Sequence, residues 1–84
     1  MRLKQFKTNL VGVTTGNLTV FFSYEQSIAF SLGSEIFCNT EKFSRTTSKH
    51  LKLVEEYLCL FTKINLNQYQ FKQKLNETLA QQSN

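Results

Sequence analysis

The chain has 84 residues, 40% of them hydrophobic and 19% charged, and carries a formal net charge of +4 at pH 7. This length supports one hydrophobic core, and eight phenylalanines supply the apolar surface that a disordered segment lacks. Because it has no Asp, one His and two Cys, the sequence excludes an Asp-rich calcium loop and a zinc site with two histidines. We therefore predict a single domain over residues 1–80, a frayed tail at residues 81–84, and no metal or other cofactor.

Alternating apolar residues predict strands in the first half of the chain. The side chains of Leu18, Val20 and Phe22 project to one face of a strand, and similar strand patterns occur in three other segments: 10–14, 27–32 and 35–39. Gly16 and Gly33 separate neighbouring strands, because glycine supplies the positive φ that tight hairpin turns require. This half of the chain therefore predicts an antiparallel meander.

The apolar period then changes to that of a helix. Three apolar residues recur three and four positions apart: Leu51, Val54 and Leu58. The helix is predicted to begin near residues 46–48, where Ser and Thr side chains can accept hydrogen bonds from its free amides. Residues 58–65 then predict a strand, and a first helix that continues through Leu60 is the alternative.

The last segment, residues 67–80, predicts a second helix. Its apolar residues recur at intervals of four: Phe71, Leu75 and Leu79. Asn67 precedes Gln70 by three positions and is a good N-terminal cap. The resulting order, β-β-β-β-α-β-α, predicts an α+β fold with a small antiparallel sheet of four to five strands and two helices.

Adjacent aromatic residues in the predicted second strand raise the question of what covers the sheet. Phe21 and Phe22 project to opposite faces because side chains alternate along a strand. A face carrying Phe21, Ala29 and Phe37 is an apolar patch that needs either the second helix or a partner, such as a second copy of the chain or a host protein. The sequence leaves both options open.

A polar cluster at the predicted start of the first helix contains the candidate binding residues Ser44, Arg45, Thr47, Ser48, Lys49 and His50. A helix N-terminus favours anions, so this cluster predicts a site for phosphate, nucleic-acid backbone or an acidic side chain. The alternative is that the hydroxyls cap the helix, the cations are solvated, and His50 packs against the sheet.

The same cluster does not predict catalysis. Ser48 and His50 are two positions apart on a helix, and their side chains therefore diverge by about 200°. Ser44 reaches His50 only if the loop folds back over the helix start. We therefore expect a protein that is not an enzyme.

Basic residues from two parts of the chain form a second candidate surface. If the N-terminal segment lies beside the first helix, five of them merge into one patch: Arg2, Lys4, Arg45, Lys49 and Lys52. Exposed aromatic side chains at Phe21, Phe43 or Tyr24 beside this patch favour single-stranded nucleic acid, since bases stack on aromatic rings.

The cysteines and the apolar runs bear on localisation. Cys38 and Cys59 both have apolar neighbours, which predicts buried, reduced thiols in a reducing compartment. The longest apolar run, residues 57–61, is far shorter than the ~20 residues that cross a bilayer. We therefore expect no membrane partner and a cytoplasmic location.

Two runs, residues 11–30 and 43–51, resemble small proteins of tailed bacteriophages that have no established activity. The shared pattern is a strand ending in Ser23-Tyr24 and a Ser-x-Thr-Thr-x-Lys-His-Leu helix start, here residues 44–51. Where that family often has Trp, this chain has Phe43. The resemblance implies a phage or prophage origin and a life in the host cytoplasm, and it transfers no functional residue.

The resemblance and the length together favour a role in binding. An 84-residue chain suffices for an interface but rarely for a full catalytic pocket. We expect a phage accessory protein that binds a host or phage protein complex, for example as an inhibitor of a host defence complex such as a CRISPR effector. Two alternatives are a nucleic-acid-binding protein and a binder of small anions or nucleotides.

Overall fold

A computed structural model describes residues 2–41 and 43–82, which form eight elements. The strands are β1 (Arg2–Lys7), β2 (Leu10–Thr15), β3 (Leu18–Ser23), β4 (Gln26–Leu32), β5 (Glu35–Asn39) and β6 (Thr62–Leu66), and the helices are α1 (Arg45–Tyr57) and α2 (Gln68–Gln82). All six strands join one sheet, in which each strand lies beside the next in the sequence. The α+β class predicted from the sequence is confirmed.

The sheet is larger than predicted and is mixed. Strands β1 to β5 are antiparallel, whereas β6 pairs in parallel with β5, because α1 carries the chain back along the sheet between them. The prediction of four to five strands omitted β1, whose three cations interrupt any apolar pattern. Its position at the edge of the sheet explains this composition, since charged residues on an edge strand discourage pairing with other chains.

Four two-residue turns connect the meander, and one residue in each adopts a positive φ. Gly16 and Gly33 both have a φ of +61°, as their predicted role in the turns requires. Asn9 and Tyr24 take the same conformation, with φ of +66° and +59°. The amide of Tyr24 donates a 2.7 Å hydrogen bond to the carbonyl of Asn9, which joins two neighbouring turns at one end of the sheet.

The two helices cover opposite faces of the sheet. α1 packs over a core that includes Phe21, Ala29 and Cys38, and α2 packs over a core that includes Phe30 and Phe37. The prediction that Phe21, Ala29 and Phe37 share a face is therefore wrong. In the register, Ala29 pairs with Phe21 and Cys38, whereas Phe37 pairs with Phe30 on the opposite face.

The helix boundaries agree closely with the capping residues. Ser44 caps α1, since its Oγ accepts a 3.3 Å hydrogen bond from the amide of Thr47. Asn67 caps α2 by accepting a 2.8 Å hydrogen bond from the amide of Gln70, as predicted. α1 ends at Tyr57, so the alternative of a helix through Leu60 is wrong.

The predicted frayed tail divides into two parts. Positions 81 and 82 belong to α2, and positions 83 and 84 lie outside the described residues, so the fraying of the tail stays a prediction. α2 has 15 residues. Within residues 2–41 and 43–82, no helix has the length and apolar character needed to cross a membrane.

Candidate functional site

The predicted helix-start cluster is organised by a residue from the sheet. Ser23, at the end of β3, places its Oγ 2.7 Å from Nδ1 of His50 and 3.2 Å from Oγ1 of Thr47. Ser44 extends the network, since its Oγ lies 3.1 Å from Oγ1 of Thr47. The side chains of Ser23, Thr47 and His50 are all buried. We call these four residues the hydroxyl–histidine network.

This network holds α1 on the sheet. Its hydrogen bonds satisfy buried polar groups that are costly to leave unpaired, and they fix the first two turns of the helix. Ser23 is only 1% exposed, so a substrate does not reach its Oγ, although the contact with His50 is short. Three of the six predicted anion-site residues, Ser44, Thr47 and His50, are therefore engaged with one another. The other three, Arg45, Ser48 and Lys49, are exposed.

Three lysines converge beside the middle of α1. Lys49 and Lys52 are one turn apart on the helix, and Lys7, at the end of β1, lines the same depression of about 260 Å³. Leu53 and Glu56 complete the lining. Within the described residues, Lys63 and Glu55 form the one ion pair. None of the three lysines therefore has a carboxylate oxygen within 4.0 Å of its Nζ. We call Lys7, Lys49 and Lys52 the lysine cluster.

An apolar pocket adjoins the lysine cluster. It has a volume of about 180 Å³ between the sheet and α1 and shares Lys7 and Leu53 with the depression. Its other walls are apolar or aromatic: Phe6, Leu10, Phe21, Val54 and Tyr57. We call it the anchor pocket. A cationic rim beside an apolar pocket suits a ligand that is both acidic and apolar.

The predicted basic patch does not form as one surface. Lys4 lies near the end of α1, where its Nζ is 5.2 Å from the ring of Phe6 and 5.5 Å from that of Tyr57. Arg45 begins this 13-residue helix, so about 20 Å of helix separates the two cations. Lys49 and Lys52 are brought together with Lys7, which the predicted patch omitted. The side chain of Arg2 lies outside the described residues.

The aromatic residues proposed for stacking differ in exposure. Phe21 is buried in the core beneath α1, and Phe43 is half-buried against the same core. Phe21 therefore presents no ring face to a base, and part of the Phe43 ring packs against the core. Tyr24 is exposed, and its ring centroid lies 6.1 Å from that of His50. Tyr57, which the sequence analysis did not single out, is also exposed at the edge of the anchor pocket.

The two cysteines have opposite environments. Both are free thiols; Cys38 is buried as predicted, whereas Cys59 is exposed in the turn after α1, so the prediction of burial is wrong there. Burial, and next the nearby carboxylate of Glu55, raises the pKa of the Cys38 thiol from 9.0 to about 11, although Lys63 opposes this. The pKa of Lys63 is itself raised, chiefly by its hydrogen bond to Glu55.

Thiol chemistry gives a direct test of this arrangement. At pH 8 we expect iodoacetamide to modify Cys59 and to spare Cys38, whose thiolate fraction is about 100-fold below that of a thiol with a pKa of 9.0. Mass spectrometry of the timed reaction measures both sites, and a Cys59→Ser variant is the control. Rapid modification of Cys38 in the folded variant contradicts the prediction.

The raised pKa of Cys38 also sets a pH dependence of stability. Because the unfolded chain ionises this thiol more readily, the contribution of Cys38 to stability is complete below pH 9 and is lost between pH 9 and about 11. A Cys38→Ala variant has no thiol at this position and therefore lacks this pH-dependent contribution to stability. The difference in unfolding free energy between the two chains therefore narrows above pH 9.

Comparison with known proteins adds a family but no activity. A family model described as a family of unknown function (DUF8033) matches residues 1–77. No curated protein and no solved structure matches the chain. Within the described part of the chain, no three His, Cys, Asp or Glu side chains are grouped so that they could hold a metal ion.

Proposed function

The chain belongs to this family of unknown function, DUF8033, and we propose from its geometry that it is a non-enzymatic protein that binds an acidic segment of a partner protein. The observation that carries the proposal is the position of the lysine cluster at the rim of the anchor pocket. Acidic residues of the partner contact the lysines, and one apolar side chain of the partner enters the pocket.

The charge of the surface supports an acidic partner. Three lysines that lack ion pairs within the described residues produce a local positive potential, which raises the rate of encounter with acidic surfaces. The net charge of +4 acts in the same direction. Two copies of the chain repel each other by the same argument, so an acidic partner is favoured over a homodimer.

The anchor pocket supports a protein ligand. Affinity at protein interfaces is concentrated in a few large side chains that fill well-packed apolar pockets, and a volume of about 180 Å³ accepts one such side chain. Leu53 and Tyr57 stand at its edge from α1, and Phe6 from β1. A side chain of Phe or Leu type on the partner matches these walls by its apolar character.

Nucleic acid is the second candidate, and the lysine cluster is what favours it. Lysines contact phosphates well, but base stacking needs free aromatic faces. Phe21 is buried, Phe43 is half-buried against the core, and the exposed Tyr24 does not line the depression of the lysine cluster. Tyr57 packs edge-on against Phe6 with ring centroids 5.0 Å apart. We therefore favour a protein partner.

The cellular role that we propose follows from the resemblance to small phage proteins. A chain of this size that blocks a surface by binding fits an accessory protein that acts on a host complex, such as an inhibitor of a defence complex in the host cytoplasm. The lysine cluster suits an acidic surface on such a partner. This part of the proposal rests on the resemblance and is independent of the geometry of the pocket.

Titration with short peptides tests the proposed function. We expect a Glu-Glu-Phe-Glu-Glu peptide to shift the NMR signals of residues around the lysine cluster and the anchor pocket. Replacing the peptide's Phe by Ala is expected to weaken binding at least tenfold. The double variant Lys49→Gln/Lys52→Gln is expected to weaken it by about threefold to tenfold. Lys72→Gln, an exposed lysine on α2, is the matched control and leaves the affinity unchanged.

The titration also separates the two candidate functions. An oligo(dT) strand that binds more tightly than the peptide, with an affinity that falls steeply as salt rises, replaces the proposed function with nucleic-acid binding. Absence of saturable shifts with either probe, or equal losses in the Lys72→Gln control, overturns the proposal.

A further inference from the structure

A second cavity adjoins the Phe6–Tyr57 ring pair, which also lines the anchor pocket. It has a volume of about 230 Å³, with the sheet as its floor and the end of α1 and the turn after it as its roof. Phe6, Phe21 and Tyr57 line both cavities. An apolar cavity of about 150 Å³ is large enough to bind benzene, so this one has room for a small organic molecule.

Its floor carries a row of three hydroxyls across three neighbouring strands. The strand register pairs Thr14 of β2 with Thr19 of β3, and Thr19 with Ser31 of β4, which places all three side chains on one face. The hydroxyls of Thr14 and Thr19 lie 2.9 Å apart and bond to each other. All three residues line the cavity.

Ser31 has the most unusual environment in this row. It is 7% exposed, and within the described residues its hydroxyl has no hydrogen-bond partner. Because Ser31 lines the cavity, its hydroxyl is open to whatever occupies it. Because every solvent-shielded polar side-chain atom of the described residues has a hydrogen-bond partner, the Ser31 oxygen is accessible from the cavity, where a ligand atom can bond to it.

Gly12 lines the cavity and has no side chain that would collide with the aromatic rings above it. A Cβ atom at this position would lie 2.8 Å from Cε2 of Phe6, closer than real Cβ atoms approach, and 3.4 Å from Cε1 of Phe21. Glycine therefore leaves room for the Phe6 ring over the strand, where it forms an apolar wall with Phe21. Phe61 and Leu58 form the opposite wall.

Lys4 is the one cationic residue among those that line the cavity in the described part of the chain. It is exposed and has no carboxylate within ion-pair distance in the described residues. Its Nζ lies over the rings of Phe6 and Tyr57, which orients the ammonium group towards the aromatic walls. The cavity thus combines a positive charge, aromatic walls and a hydroxyl floor.

We propose that this cavity binds a small aromatic carboxylate that carries a ring hydroxyl. The carboxylate lies against Lys4, the ring packs between the aromatic walls, and the ring hydroxyl bonds to Ser31. A single lysine matches one negative charge and does not suit a polyphosphate, and the volume excludes a long acyl chain. The site goes beyond the proposed function and uses none of the three residues of the lysine cluster.

Isothermal titration with 4-hydroxybenzoate and benzoate tests this site. We expect 4-hydroxybenzoate to bind saturably, with a Kd below about 1 mM. Ser31→Ala is expected to weaken 4-hydroxybenzoate about fivefold and to leave benzoate unchanged, because only the first ligand bonds to the hydroxyl. Lys4→Gln is expected to weaken both ligands by about fivefold. Ser27→Ala, on the same strand but outside the cavity, is the matched control.

The outcomes distinguish this site from the proposed function. Lys49→Gln/Lys52→Gln is expected to weaken the acidic peptide and to leave 4-hydroxybenzoate binding unchanged. No saturable binding of either aromatic acid overturns the inference, and so does an equal loss in Ser31→Ala and Ser27→Ala. Circular dichroism of each variant shows that the chain is folded before titration.

Discussion

Replacing Phe71 by Ala is expected to lower the free energy of unfolding by about 3–5 kcal/mol. Phe71 packs from α2 into the core on this face of the sheet and is 0% exposed. Its ring centroid lies 5.3 Å from that of Phe30, which in turn stacks on Phe37 at 4.8 Å. Truncation removes one of the three rings of this cluster and leaves a cavity that the rigid sheet does not close.

This loss is large relative to the total stability of a small domain. At about 0.05–0.15 kcal/mol per residue, a chain of 84 residues has an unfolding free energy of about 4–13 kcal/mol. Urea unfolding followed by far-UV circular dichroism measures the change. Tyr69→Ala, in the same helix but 77% exposed, is the matched control and is expected to change stability by less than about 0.5 kcal/mol. A Phe71→Ala chain within about 1 kcal/mol of the native one contradicts the role assigned to this ring.

The apolar face of α2 shows how far spacing alone predicts packing. The predicted face was Phe71, Leu75 and Leu79, and the first two residues are buried. Leu79 is partly exposed, and Thr78 is buried in its place, with its hydroxyl donating a 2.8 Å hydrogen bond to the carbonyl of Lys74. An α-helix has 3.6 residues per turn, so a strict interval of four drifts off the buried face after two turns.

The sheet shows a similar division between local and non-local information. Alternation predicted strands β2 to β5, because each of them buries side chains by its own two-residue period, and it missed β1. It did not predict which faces coincide, since this depends on the register between strands. The register of β5 on β4 pairs Cys38 with Ala29 and Phe37 with Phe30, so Phe37 lies on the opposite face. A one-residue shift in such a register changes the face of every later residue on a strand.

The candidate site was also predicted only in part, because local patterns in the sequence do not show which elements become neighbours. The hydroxyl-rich segment correctly predicted a capped helix start, because capping is local in sequence. Ser23 joins that network from another element, and Lys7 joins Lys49 and Lys52 only because β1 lies beside α1. Lys7 is recognisable in the sequence as a basic residue. No local pattern connects it with α1, because four strands separate β1 from this helix in the sequence.

The hydroxyl–histidine network yields the second large effect, and a double-mutant cycle measures it. Ser23→Ala removes the 2.7 Å partner of Nδ1 of His50 and leaves that nitrogen buried, so we expect a loss of about 1–3 kcal/mol in the free energy of unfolding. His50→Leu removes the other partner at similar volume and is expected to cost a comparable amount. In the double variant neither group remains unpaired, so its loss is expected to be smaller than the sum by about 1–2 kcal/mol.

Ser48→Ala is the matched control for this cycle, because Ser48 is an exposed hydroxyl in the same turn of α1 and is expected to change stability by less than about 0.5 kcal/mol. Additive losses for Ser23 and His50 contradict a direct bond between them.

The network also predicts a separation of stability from function. At a temperature where Ser23→Ala is folded, its affinity for the acidic peptide is expected to equal that of the native chain, because Ser23 is 1% exposed and does not contact the ligand. A loss of peptide binding without a loss of folded protein assigns Ser23 to the binding surface and contradicts its structural role.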